Sequence, residues 1–250
     1  MKRARRLDEV SQTFGATEAS PQIRGARVRA LFDRIAPRYD LMNDLMSFGT
    51  HRLWKRHVIA RALAHLPPGE APLVDLAAGT GDLALALRRA LPARRIALVD
   101  PSAGMLAVAR ARGGESLDYF EAPGEALPFI DDCIAMVTLS FGLRNMADPA
   151  KGLREVARVL QPGGVLVLLE FSRPDAWFAP LYNLHARHVI PRIGAFVARD
   201  PAAYSYLVQS IERFPAREDI AREIAEAGLV LREECSFVFG VARMQIAEKL

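Results

Sequence analysis

From residue 73 onward, short and almost wholly apolar runs alternate with longer stretches whose apolar residues recur at helical spacing. That rhythm predicts a parallel sheet covered by helices, because strands buried on both faces lose the two-residue alternation of half-buried ones. LVDLA (73–77) reads as the first buried strand, followed by a glycine turn and an Ala/Leu-rich helix through Leu91. RRIALVD (94–100) is the second strand, and Pro101 to Arg112 the second helix. LDYFEA (117–122) makes a weaker third strand. IAMVTLS (134–140) is the fourth, with a helix from about Asp148 to Leu160 behind it. Gln161 to Gly164 reads as a turn into a fifth strand, VLVLLEFS (165–172).

Beyond that strand the rhythm changes. Residues 175–213 mix aromatic, basic and apolar side chains and read as a helical insert. A helix over about 216–227 stops at Gly228, a residue suited to a helix C-cap. LVLREECSF (229–237) and the stretch from Phe239 then pair as a terminal hairpin, completing a mostly parallel sheet of seven strands. Ahead of residue 73 the pattern is helical, so residues 28–70 are expected to cover the sheet. The result is one α/β domain over 28–250, preceded by a basic, flexible segment at 1–27.

Composition narrows the class without changing the fold. The chain has 250 residues, enough for one α/β domain with a sizeable core, and 51% of them are hydrophobic against 25% charged. Its two cysteines, Cys133 and Cys235, form no CxxC pair, so neither a zinc site nor a disulfide framework is expected and a reducing cytoplasm suits the chain. The cluster Lys2, Arg3, Arg5 and Arg6 contributes to a net charge of +4, but no apolar region follows it as in a secretory signal. No run approaches the roughly 18 apolar residues of a membrane span. The basic excess fits nucleic acid, an anionic membrane surface or a phosphorylated ligand equally well.

Chemistry concentrates in VDLAAGTGDLA (74–84). A strand that runs through glycines into a helix brings bare backbone against a ligand at the positive end of that helix. Gly79, Thr80 and Gly81 open a G-x-G-x-x-A pattern, and Asp100 ends the next strand at a distance suited to ribose hydroxyls. A nicotinamide enzyme can own that pattern, although it usually places it on its first strand, with less chain ahead. In methyltransferases of this general fold an acid at the position of Asp75 orients the amino-acid end of the methyl donor, and the acid ending the second strand holds the ribose. Pro123 and Gly124, after the third strand, and Ser140, ending the fourth, converge on the same crevice at the carboxyl ends of the strands.

Longer segments decide between these readings. YDLMNDLMSFGTHRLWKR (39–56), LSFGLRN (139–145), ARVLQPGGVLVLLEFSRP (157–174) and HVIPRIGAFVARDPAAYSYLVQSIERFP (188–215) resemble the ubiquinone/menaquinone biosynthesis C-methyltransferase family, in register over residues 28–247. The resemblance implies a Rossmann-like class I methyltransferase fold, S-adenosyl-L-methionine as cofactor, and methylation of a ring carbon of a polyprenylated benzoquinol or naphthoquinol. Donor contacts carried over fall on Thr80, Asp100, Pro123, Gly124 and Ser140. Two positions depart from the family pattern. Ala77 and Ala78 replace a frequent glycine, at an expected small cost, and Pro123 stands where a polar side chain commonly reads the adenine amine.

On the acceptor side, Arg144 is expected at the mouth of the crevice to stabilise a phenolate, Asn145 to orient a hydroxyl, and His51 to act as base. Tyr39, Asp40 and Asn43 close over the donor, while Tyr182, His188, Arg192 and Tyr204 line an acceptor tunnel. No metal is expected. Aromatic and basic residues of 175–213 suit peripheral contact with the inner face of a membrane, from which a prenylated quinol enters. Other expected partners are further enzymes of quinone biosynthesis and a second copy of the chain, with no nucleic acid. The competing readings are a methyltransferase acting on another small molecule or RNA, and an NAD(P)-dependent reductase.

Overall fold

Burial on both faces is what makes the central strands. All four residues of β3 (Leu73–Leu76) and all five of β4 (Ile96–Asp100) are buried, as is all of β6 (Ile134–Ser140) except its last residue. The computed structural model describes residues 6–15, 17–188 and 201–250. With β5 (Asp118–Glu121), β7 (Leu160–Phe171), β8 (Leu229–Phe237) and β9 (Ala242–Lys249), these strands form one sheet in the order β5-β4-β3-β6-β7-β9-β8. The pairs from β5 through β7 are parallel, and β9 runs antiparallel to both β7 and β8. The chain works outward from β3 through β4 to β5 and then returns to place β6 on the other side of β3. That reversal leaves a crevice above the carboxyl ends of β3 and β6, the place where open α/β sheets bind ligands.

Helices α5 (Asp82–Ala90), α6 (Ala103–Gly113), α7 (Pro149–Val159) and α10 (Arg217–Glu226) cover the sheet and divide its contacts into two apolar layers. Their starts follow local chemistry: Ser102 and Asp148 accept from the backbone N–H groups of Met105 and Lys151, and Pro149 fills the first turn of α7. Gly228 takes a left-handed φ of 91° just beyond α10, as a C-cap glycine does. One local expectation fails. Leu160 already pairs with Ile134, and Val165 then pairs with Met136, so Gln161 to Gly164 are a bulge inside β7 rather than a turn before it.

The larger correction concerns the N-terminus. Residues 1–27 were expected to be a flexible segment, but from Leu7 onward the described part is packed. Leu7, in α1 (Leu7–Ser11), has no exposed surface and joins the core beside α7 and α10, with its backbone N–H donated to Glu223 at 3.1 Å. A short hairpin, β1 (Thr13–Phe14) with β2 (Thr17–Glu18), leads to Ser20, which caps α2 (Pro21–Ile35). Arg24 then disappears into the interior, donating to Met146 O at 2.9 Å and to the carbonyls of Thr13 and Arg144. Those carbonyls supply what a buried guanidinium needs once water is removed.

After α2 come α3 (Tyr39–Ser47) and α4 (Thr50–His65), which complete the cover. The expected insert contributes α8 (Ala179–His188) and α9 (Pro201–Arg213). Arg192 lies outside the described residues, and so do the side chains of His188 and Tyr204.

Candidate active site

Two cavities meet above the carboxyl ends of β3 and β6. The first has a volume of about 310 Å³ and lies between the strand-end loops and the inner face of α2. The second, of about 110 Å³, is enclosed by α3, α4, α8, α9 and the segment after β6. Phe32, Tyr39, Phe141 and Asn145 line both and form the wall between them.

Asp100 governs the polar end of the first cavity. It is 7% exposed; its Oδ2 accepts the Gly79 N–H at 2.8 Å and its Oδ1 accepts the Ser102 N–H at 2.8 Å. Each oxygen keeps a lone pair for a further donor. Burial raises its pKa to about 6, against the two N–H bonds that hold it down. Gly79, Pro123, Gly124 and Ser140 line the same cavity. At Gly124 a Cβ would come within 2.7 Å of Met146 Cε, so a larger residue there would have to push the methionine aside. Ser140 presents a buried Oγ with no hydrogen-bond partner among the described residues, a group that costs free energy until a ligand satisfies it.

Three residues expected at the donor lie outside the lining of the first cavity. Asp75 lies beneath the loop, accepting the Ala84 N–H at 3.0 Å and the Thr138 hydroxyl at 2.8 Å, and burial raises its pKa to about 7. It ties β3 to α5 and β6 and, with Gly79, Thr80 and Ser140, lines a small recess beside Lys55. The Thr80 hydroxyl is given to Asp40 of α3 at 2.7 Å, which anchors the helical cover to the loop. Gly81 lines neither large cavity; a Cβ there would meet Leu98 at 3.1 Å and Ala109 at 3.3 Å, so its service is close packing.

The replacements at Ala77 and Ala78 carry a cost at the first of them. Ala77 takes φ 50° and Phe141 takes φ 55°, both left-handed for residues with a Cβ; each such position costs roughly 1–2 kcal/mol. The Phe141 carbonyl is gripped by Arg144 Nη1 at 2.6 Å and Asn145 Nδ2 at 3.0 Å. Arg144 therefore does not stand free at the crevice mouth. It is 4% exposed, paired to Glu170 at 2.6 Å, and stacked over Phe171 with its guanidinium carbon 5.0 Å from the ring centre. It reaches the second cavity as part of a neutralised pair that fixes the strained turn between the two cavities.

The second cavity is mostly apolar, with Met42, Met46, Trp54, Leu207 and Ile211 among its walls. Tyr39, Asn43 and Tyr182 line it as well. His51 is buried there. Ser47 Oγ donates to Asn43 O at 2.7 Å, so its 2.7 Å contact with His51 Nδ1 assigns the ring proton to Nδ1 and leaves Nε2 with a lone pair. Burial, reinforced by Lys55, lowers the pKa of His51. Asp44 stands 3.8 Å from Nε2 and is already bound at 2.6 Å to both Arg52 nitrogens.

Tyr206 and one face of α2 were missed in the sequence. Tyr206 lines the second cavity, stacks on Phe14 and donates to Asn145 Oδ1 at 3.1 Å. Gln22, Gly25, Arg29 and Phe32 of α2 line the first cavity. Their spacing of three and four residues was a readable helical face, but it begins within the segment read as flexible.

Residues 21–249 match the ubiE/COQ5 methyltransferase family. This chain belongs to that family. Among its relatives, the ubiquinone/menaquinone biosynthesis C-methyltransferase UbiE of Rubrivivax gelatinosus is 44% identical over 96% of this chain and 94% of its own. The UbiE of Xylella fastidiosa strain M23 is 43% identical over 90% and 89%. Solved structures confirm the class I methyltransferase fold. Geranyl diphosphate C-methyltransferase from Streptomyces coelicolor, solved with S-adenosyl-L-homocysteine, gives a TM-score of 0.58 at 15% identity over 82% of each chain. The [4+2]-cyclase SpnF gives 0.63 at 16% identity over 89% of this chain and 94% of its own.

As a member of the family the chain is an S-adenosylmethionine-dependent C-methyltransferase, and the first cavity fits that donor. Asp100 has free lone pairs for ribose hydroxyls, Gly79 lies beside it, and the unsatisfied Ser140 Oγ offers a further polar contact. The nicotinamide reading is set aside by the family match.

Proposed function

We propose that this enzyme methylates a ring carbon of a polyprenylated benzoquinol or naphthoquinol in ubiquinone/menaquinone biosynthesis. The carrying observation is the shared wall: a polar cavity suited to the donor and an apolar cavity holding a neutral histidine meet at Phe32, Tyr39, Phe141 and Asn145. The names of the relatives supply the acceptor class. The donor contributes an electrophilic methyl group on a sulfonium.

His51 Nε2 takes the proton of a ring hydroxyl and so raises electron density at the neighbouring ring carbon. Methyl transfer from a bound donor to that carbon would leave its sulfur as a neutral thioether; the ring-carbon proton would then pass to solvent as aromaticity is restored, and His51 would return its proton to the ring oxygen. Asn145, fixed between Tyr206 and the Phe141 carbonyl, orients the ring at the wall. The cation of Arg144 is met by Glu170, so its part is to hold the Phe141 turn in place. Positioning supplies most of the catalysis, since the donor is already reactive.

The prenyl tail needs an apolar way in. Trp177, Leu181 and Phe239 are 67%, 61% and 51% exposed, and α8, which carries Leu181, also gives Tyr182 to the second cavity. Among the described residues no helix is long and apolar enough to cross a membrane. The reading is therefore of an enzyme that touches the membrane face through this patch and draws the quinol from it. Profiling quinones in cells lacking the protein tests the acceptor. Accumulation of a demethylated quinone is expected, and a normal quinone profile rejects it.

A further inference from the structure

The part of the first cavity formed by Glu121 to Glu125 poses a recognition problem. An adenine ring presents an exocyclic amine, a donor, beside ring nitrogens that accept. Pro123 has no N–H, and its carbonyl already takes the Ala126 N–H at 3.2 Å. Glu125 spends Oε1 on the Asp148 N–H at 2.8 Å. Asn145 is engaged with Tyr206 and Phe141, and Ser102 with Asp33. Among the described residues, the polar side chains of this cavity near that loop with no hydrogen bond or ion pair are Glu121, Gln22 and Arg29.

Chemistry separates these three. Arg29 only donates and cannot receive the amine. Glu121 only accepts, and it stands beside Asp100 in the strand register, where its charge faces a second carboxylate. A carboxamide alone matches the donor–acceptor edge of adenine with both of its atoms. Gln22 also sits on a fixed support. Arg24, two residues on, is locked to the carbonyls of Thr13, Met146 and Arg144. At Gly25 a Cβ would come within 3.1 Å of Ala147, so α2 lies against the loop after β6.

We infer that the adenine amine of the donor is read from the covering helix, by the carboxamide of Gln22, in place of a side chain on the loop that holds Pro123. The cover is thus part of donor specificity as well as a wall of the site.

Calorimetric titration of the full-length protein with S-adenosylhomocysteine and with S-inosylhomocysteine, whose amine is replaced by a carbonyl, tests this. The wild type is expected to prefer the adenosine ligand by about tenfold or more, the discrimination typical of one bidentate pair. Gln22→Ala should bring the ratio close to one, with the melting temperature unchanged. Glu121→Ala should leave the ratio as in the wild type. Adding Pro123→Asn to Gln22→Ala should restore the preference by returning a carboxamide to the loop. A wild-type ratio in Gln22→Ala, or collapse of the ratio in Glu121→Ala, overturns the proposal. Failure of the wild type to bind either ligand overturns the donor site itself and the proposal with it.

Discussion

At the scale of single residues, the site depends on where protons rest. His51 is kept neutral by burial, with its proton placed on Nδ1 by Ser47. Removing a general base of this kind costs roughly a hundredfold or more in rate. His51→Ala should therefore lower kcat to that degree while calorimetry shows donor affinity unchanged; an unaltered kcat would exclude the histidine as base. With Asp100 assigned to the ribose, its pKa near 6 would set a pH limit on donor binding. Below pH 6 it takes a proton that competes with donation from ribose hydroxyls, so affinity should fall toward tenfold per pH unit. Asp100→Asn should bind weakly at every pH, and an equally steep fall in that variant would refute the assignment. Asp75 works in the other direction, on folding. Its pKa is about 7 folded and near 4 unfolded. The stabilisation is full below pH 4 and is lost as pH rises through 7. Asp75→Asn mimics the protonated acid, so its melting temperature should exceed that of the wild type by more at pH 8 than at pH 5.

At the scale of elements, the helical cover is fastened to the loops it covers. Asp33 of α2 accepts from Ser102 Oγ at 2.5 Å and Gly104 N at 3.1 Å, while Asp40 of α3 takes the Thr80 hydroxyl. Ser102 in turn gives its N–H to Asp100, so the cover and the Asp100 carboxylate share one loop. Asp33→Ala removes two bonds of about 1 kcal/mol each. Donor dissociation, followed by stopped flow, should be several-fold faster in that variant with little change in association; equal dissociation rates would show that α2 does not govern release. The same elements show what could be read in advance. The strands β3, β4, β6 and β7 were legible because each carries an apolar run closed by turn residues. Arg24 was not, since a guanidinium in a polar, charged stretch gives no sign that distant carbonyls will surround it. Nor was the pairing of Arg144 with Glu170, which depends on β6 and β7 lying side by side. The left-handed backbone at Ala77 was hidden too, because alanine gives no sequence sign of that conformation.

At the scale of the whole molecule, the proposed entry of the acceptor from lipid turns on one exposed aromatic patch. The exposed ring of Trp177 packs against Phe239 with centroids 4.6 Å apart, joining the segment before α8 to the turn between β8 and β9. Paired aromatic rings of this kind suit the boundary between headgroup and acyl chain. Flotation with anionic phospholipid vesicles should recover the wild type with the lipid, and Trp177→Ser with Phe239→Ser should reduce that recovery several-fold. Activity on a short-tailed, water-soluble quinol should be retained by the double variant. Equal flotation of both proteins would remove the patch from the pathway of the acceptor.

The burial of Leu7 has a practical consequence for anyone who expresses this enzyme. The family match begins at residue 21, and a gene trimmed to that boundary would omit α1, the first hairpin and the Ser20 cap. Loss of a fully buried leucine alone costs about 2–5 kcal/mol, a large share of the stability of an ordinary domain. Such a shortened protein would carry every donor-site residue and still be prone to precipitate, and its silence in an assay would report on folding rather than on chemistry.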